Sequence, residues 1–235
     1  MHHRTASTIV LGLTAALALL ALPGCSPSAA PTTTSGSDST AQRPDDKGDA
    51  KRNAVPMTSA QLRERLLNVN DLGTGYTRKP DRPSAGDDVT VLGCPALDDL
   101  GTDAATGSGG GLDFPRRAKA SFAHSSGGEV TEELYSDAAI KLSDGTGRIF
   151  DAMTGCPAYQ VLAGSTPIDI TTQEIPAPRL GNEQWSHLLT FSSEGADMVV
   201  KQTAIRDGSV LLIVSGSPAL VDRHLDTALT KATAS

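Results

Sequence analysis

The apolar positions of this chain fall into three regimes. Residues 9–22 form a nearly continuous apolar run, interrupted by Gly12 and Thr14. Residues 26–55 carry no aromatic side chain and little else to bury. From Pro56 onward, apolar residues recur at the spacings of helices and strands. Thr58-Ser59-Ala60-Gln61 is a capping-box pattern. Leu62, Leu66 and Val69 follow it at helical intervals, which predicts a helix ending near Asp71-Leu72-Gly73. Residues 118–124 and 129–135 read as strands joined by a Ser125-Ser126-Gly127-Gly128 turn. A helix then starts at Ser136 or Asp137, either a good N-cap. It keeps Ala139, Leu142, Ile149 and Met153 on one face, with a kink or break expected at Gly145 and Gly147.

The last third reads as an antiparallel meander. Ile168 and Ile170 alternate in a strand that ends before Pro176-Ala177-Pro178. Trp185, His187, Leu189 and Phe191 alternate on one face of the next strand. Residues 198–206 run back, and Asp207-Gly208 is a hairpin signal. Val210-Leu211-Leu212-Ile213-Val214 is apolar throughout and predicts a central strand. Ser217 as N-cap and Pro218 at the first helical position open a last helix. Its buried stripe is Leu220, Val221, Leu225, Ala228 and Leu229. Together these elements predict an α+β fold: an antiparallel β-sheet of about six strands, with helices packed on one face and one disulfide.

The first two regimes describe an address. Arg4 precedes the apolar run, which is short of the roughly 20 residues that span a bilayer. Leu22-Pro23-Gly24-Cys25 closes the run and resembles a lipobox, where a bacterial lipoprotein is cut and acylated. Pro23 stands where Ala or Ser is preferred. Residues 1–24 are therefore read as a lipoprotein signal peptide, with Cys25 as the lipid attachment site. Residues 25–55 cannot offset the entropy of ordering themselves and read as a disordered tether. As a flexible coil this segment reaches roughly 30 Å. Residues 56–235 have the size of a single domain. The expected location is the outer face of the cell membrane.

Charge and cysteine count sharpen this picture. The formal net charge is −7, so attachment to an anionic membrane rests on lipid and not on a basic patch. Of three cysteines, Cys25 is assigned to lipid, which leaves Cys94 and Cys156. Each lies in a Gly-Cys-Pro tripeptide. Outside the cytosol such a pair closes a disulfide. A redox or metal site is disfavoured, since neither cysteine has a CxxC spacing or a neighbouring His.

One stretch carries a resemblance. Leu66-Leu67-Asn68-Val69-Asn70-Asp71-Leu72-Gly73-Thr74-Gly75-Tyr76 is a helix end followed by a Gly-Tyr loop. With it come the hairpin over 129–135 running into a helix, Cys156 at that helix's end, and the apolar hairpin before the last helix. Across residues 58–230 this order resembles the extracellular sensor domain of PknH-type receptor kinases, which also occurs as free-standing lipoproteins in high-GC Gram-positive bacteria. The resemblance implies an extracytoplasmic sensing role with no settled ligand. That family has two disulfides, whereas the mature chain here can form one.

No catalytic constellation is legible. His124, His187 and His224 are the candidate bases, yet no HExxH, GxSxG or SxxK pattern accompanies them. Asp87-Asp88 and Asp98-Asp99 read as solvated charge, because calcium needs six or more oxygens. Arg116-Arg117 is too short a basic run for nucleic acid. The expectation is therefore a non-enzymatic domain without cofactor or metal. It is anchored to the cell membrane through its lipid, and it binds a small molecule or an envelope polymer on behalf of an unidentified signalling partner. A carrier of lipid or other apolar cargo is the alternative, and an envelope hydrolase ranks below it. If a ligand pocket exists, Trp185 and His187 mark it, because an aromatic beside an adaptable donor suits a small concave site.

Overall fold

The structure is a computed structural model, and it describes residues 55–80, 89–101, 104 and 114–234. The expected signal peptide, Cys25 and all but the last residue of the expected tether lie outside the described residues. The elements run α1 (Ser59–Arg65), α2 (Val69–Leu72), β1 (Tyr76–Lys79), β2 (Val89–Leu92), α3 (Pro95–Asp98), β3 (Arg117–His124) and β4 (Glu129–Ser136). They continue with α4 (Ala139–Gly155), β5 (Ala158–Ala163), β6 (Thr166–Glu174), β7 (Glu183–Ser193), β8 (Ala196–Asp207), β9 (Val210–Gly216) and α5 (Pro218–Ala232).

All strands join one antiparallel sheet in the order β1-β3-β4-β9-β8-β7-β6-β5-β2. The α+β class is as expected, and the count is nine strands where the pattern predicts about six. The extra three are β1, β2 and β5. β1 and β2 have four residues each and lie at the two edges of the sheet, too short to show an alternation.

Helices cover both faces of the sheet, which corrects the expectation of one face. Successive residues of a strand point to opposite sides. On β9, Val210, Leu212 and Val214 join a core with α1 and α5, built around Leu62, Leu67, Val221 and Leu225. Leu211 and Ile213 join the opposite core with Leu142 and Phe150 of α4. A fully apolar run is what burial on two faces demands of a strand. A third cluster continues the α4 side toward β2, β5 and α3, through Val91, Leu97, Met153 and Val161.

The chain leaves α5's side of the sheet through a tight approach. Gly216 has φ 140°, and a Cβ there would lie 2.0 Å from the Glu129 carbonyl oxygen. Only glycine fits where β9 ends against β4. Ser217 caps α5 by position, but its Oγ accepts from the Glu129 N–H at 3.3 Å instead of from the helix.

Two helix expectations change in detail. The capping box at Thr58 and Gln61 is present. The helix nevertheless stops at Arg65, and Asn68 with Asp71 caps a second short turn. Leu66 is extended there, and both Leu66 and Leu67 are buried in the core. α4 runs unbroken for 17 residues, so no break occurs at Gly145 or Gly147. Gly145 is buried.

The disulfide joins Cys94, just before α3, to Cys156, at the end of α4, with Cα atoms 5.7 Å apart. It ties an edge strand's turn to the helix that covers the sheet. Closing a loop over a sequence separation of 62 is worth about 4 kcal/mol in chain-entropy terms. Urea unfolding with and without reductant is expected to differ by about that amount, with the oxidised protein the more stable. Equal midpoints, or two alkylatable thiols in the native protein, would contradict it.

One buried acid makes stability depend on pH. Glu132 is 1% exposed within the α1/α5 core, across from Ala120 and Val214. Its Oε2 accepts from the Leu67 N–H at 2.6 Å, while Oε1 has no partner. Burial pushes its pKa up to about 7, against the opposing pull of that N–H and of Lys231. The folded state thus holds a proton that the unfolded chain releases near 4.5. The stabilisation is complete below that value and is lost as pH rises through about 7. Between pH 4.5 and 8 the wild type is expected to lose about 3 kcal/mol relative to Glu132→Gln, measured by urea unfolding. A constant difference between the two proteins over that range would refute this.

Candidate functional site

A cleft of about 580 Å³ opens between α4 and the β6–β7 side of the sheet. Its walls come from three places. α4 supplies Phe150, Asp151 and Thr154. The end of β6 and the loop after it supply Glu174, Ile175, Pro176 and Ala177. β7 supplies Gln184, Trp185, Ser186 and His187. The volume falls in the range of small-molecule sites. Trp185 and His187, the expected pocket residues, both line it.

Each wall is fixed by local sequence. Phe150 and Thr154 are four residues apart and share one helix face. Trp185 and His187 are two apart on a strand and point to the same side. The cross-strand partner of Trp185 is Ala204, whose small side chain leaves room for the indole. The loop after β6 is held by a hydrogen bond from the Ile175 N–H to the Ser186 carbonyl, 3.0 Å. Pro176 and Pro178 end the strand pairing there by removing N–H donors.

The floor of the cleft is aromatic. The Phe150 ring lies 4.5 Å from the His187 ring and 5.9 Å from the Trp185 ring, tilted by 31° and 34°. His187 is 1% exposed. Its Nε2 lies 3.4 Å from Thr154 Oγ1, and its Nδ1 has no hydrogen-bond partner. Thr154 already donates its hydroxyl hydrogen to the Phe150 carbonyl at 2.8 Å. The remaining role for that oxygen toward His187 is acceptor, which favours the tautomer with the proton on Nε2 and a lone pair on Nδ1. Burial holds the His187 pKa below its usual value, while Glu174, paired with it across β6 and β7, pulls upward.

The other candidate histidines lie elsewhere. Tyr76 brings His124 and His224 together, away from His187. Its hydroxyl is 2.6 Å from His224 Nε2, and its ring is 4.6 Å from that of His124. Burial lowers the His224 pKa, helped by Arg223 and His124. Nothing in the sequence pairs His224 with Tyr76. His124 also contacts Ser126 Oγ at 2.7 Å within the β3–β4 turn, without a carboxylate to orient the ring. Ser186 Oγ lies 2.9 Å from Thr203 Oγ1 and donates to the Gln202 carbonyl at 3.3 Å. Among the described residues, no cluster of three His, Cys, Asp or Glu could hold a metal ion. No helix among them is long and apolar enough to cross a membrane.

A nine-stranded antiparallel sheet with helices on both faces and a cleft at one end defines the class of fold. No protein-family model and no curated protein matches the chain. Solved structures do. The chain is similar to the extracellular domain of PknH from Mycobacterium tuberculosis, with a TM-score of 0.57 and 12% identity, over 77% of this chain and 99% of that one. It also matches an uncharacterized protein, the Rv0999 ortholog from Mycobacterium smegmatis, at a TM-score of 0.38 and 11% identity, over 74% of this chain and 94% of that one. The first likeness establishes the fold, in line with the sequence resemblance. The second is too distant to bear on it.

The state of His187 is directly measurable. In an NMR titration its imidazole is expected to take up a proton below the usual value of 6.5, and lower still in Glu174→Gln. A midpoint at or above 6.5 in the wild type would contradict the buried neutral ring.

Proposed function

We propose that this chain is an exported, lipid-anchored domain that binds a ligand outside the cell membrane without transforming it. The observation that carries this is the cleft itself. Its aromatic floor, polar rim and buried His187, whose Nδ1 has no partner among the described residues, suit a small polar ligand. The disulfide fits an oxidising compartment. The leader and Cys25 supply the anchor, and the tether lifts the domain off the lipid surface. The likeness in fold to a receptor kinase's extracellular domain supports a sensing role, with a signalling partner reached through the ligand-bound state. Catalysis has little support, since no nucleophile in the cleft meets a base and an oxyanion donor together. Cargo of lipid type is disfavoured there, because Asp151, Glu174 and Gln184 line the walls.

Two measurements check this. In the native host, Cys25→Ala is expected to move the protein out of the membrane fraction or leave it unprocessed. A processed Cys25→Ala protein retained on the membrane would refute the anchor. In a thermal-shift screen of small polar molecules, a ligand is expected to raise the melting temperature of the wild type and less so that of His187→Ala. Turnover of an ester, peptide or glycan, abolished by one side-chain change, would replace binding with catalysis.

A further inference from the structure

We propose that the cleft takes a small organic cation with N–H donors, a primary ammonium carried on an apolar body. This rests on the cleft being a ligand site, and it names the chemistry of the ligand. Three independent features converge on it. The first is charge. Asp151 enters from α4 and Glu174 from the end of β6, and no Lys or Arg lines the cleft among the described residues. Neither carboxylate has an ion-pair partner among the described residues. Two carboxylates on different walls, uncompensated, favour a cation between them and repel an anion.

The second feature is the floor. Phe150 and Trp185 present rings to the cleft, and a cation over an aromatic face is attracted by the ring quadrupole. The third is the orphan acceptor. The Thr154 hydroxyl, already donating to Phe150, favours the His187 proton on Nε2, which leaves Nδ1 as a buried lone pair with no donor among the described residues. A buried acceptor without a partner costs free energy, and a ligand N–H removes that cost. A quaternary ammonium meets the first two features and fails the third. A neutral alcohol meets the third and fails the first. An N–H-bearing cation meets all three.

The sequence provides a reporter. Trp185 is the only tryptophan in the chain, so intrinsic tryptophan fluorescence of the full protein reads this cleft alone. The probes are benzylammonium, benzyltrimethylammonium, benzyl alcohol and benzoate, titrated into the wild type at low salt. Benzylammonium is expected to bind about tenfold more tightly than benzyltrimethylammonium, and more tightly still than benzyl alcohol. Benzoate is expected not to bind. Asp151→Asn and Glu174→Gln, both on exposed positions, are each expected to weaken benzylammonium binding by about threefold, with added salt doing the same. His187→Phe is expected to erase the preference for benzylammonium over its trimethyl analogue. Equal binding of all four probes, or no loss in the Asp151→Asn/Glu174→Gln double variant, would overturn the cation while keeping the cleft as a site. A Trp185 signal unmoved by every probe would overturn the cleft as a site and this proposal with it.

Discussion

The fold depends on one strand being buried on both faces. β9 lies between β4 and β8 and alternates its side chains between two cores. Leu212 and Val214 lock α5 and α1 to one side, and Leu211 and Ile213 hold α4 to the other. Neither core is independent of the other, because a shift of β9 by one residue would exchange every side chain between them. The register is pinned at both ends. Ser136 donates its hydroxyl to the Ser209 carbonyl at 2.7 Å beside the β8–β9 turn. Gly216 packs against the Glu129 carbonyl at the other end.

The cleft follows from that arrangement. α4 is held over β9 and β8 at its middle, and the disulfide fixes its C-terminal end. Phe150 and Thr154 are thereby set against β7, where Trp185 and His187 stand. The Pro176-Ala177-Pro178 loop forms the remaining wall. Rigid elements supply the floor, and exposed ends of elements supply the carboxylates. This is the division expected of a binding site built on a scaffold. The opposite core bears its own polar burden in Glu132, which acts on stability and lies away from the cleft.

Much of this was legible in the chain, and the failures have physical causes. The central strand, its hairpin and the last helix were readable because long apolar runs and Ser-Pro starts are strong local signals. The disulfide was readable by counting cysteines. Trp185 and His187 were readable as a pair because strand periodicity puts them on one face. β1 and β2 were not, because four-residue edge strands borrow their conformation from β3 and β5. The second helical face of the sheet was missed because helix patterns show which stripe is buried and not which side of a sheet receives it. The break at Leu66 was hidden by intact helical spacing, and it shows in the extended Leu66 backbone and the new cap at Asn68. Asp151, Glu174 and Thr154 could not be assigned to the cleft from sequence, since each is one polar residue among many until the walls meet.

Native-state hydrogen exchange tests the dependence on β9 most directly. Amides of Leu211, Leu212, Ile213 and Val214 are expected to exchange last, at the free energy of global unfolding. On reduction of the disulfide, amides near Leu92 and Leu97 are expected to exchange faster through local opening. Those of β9 are expected to stay the slowest in the protein. Exchange of the β9 amides by a local opening far below the global free energy, with α4 or α5 still protected, would show that the two cores stand without it and would contradict the account.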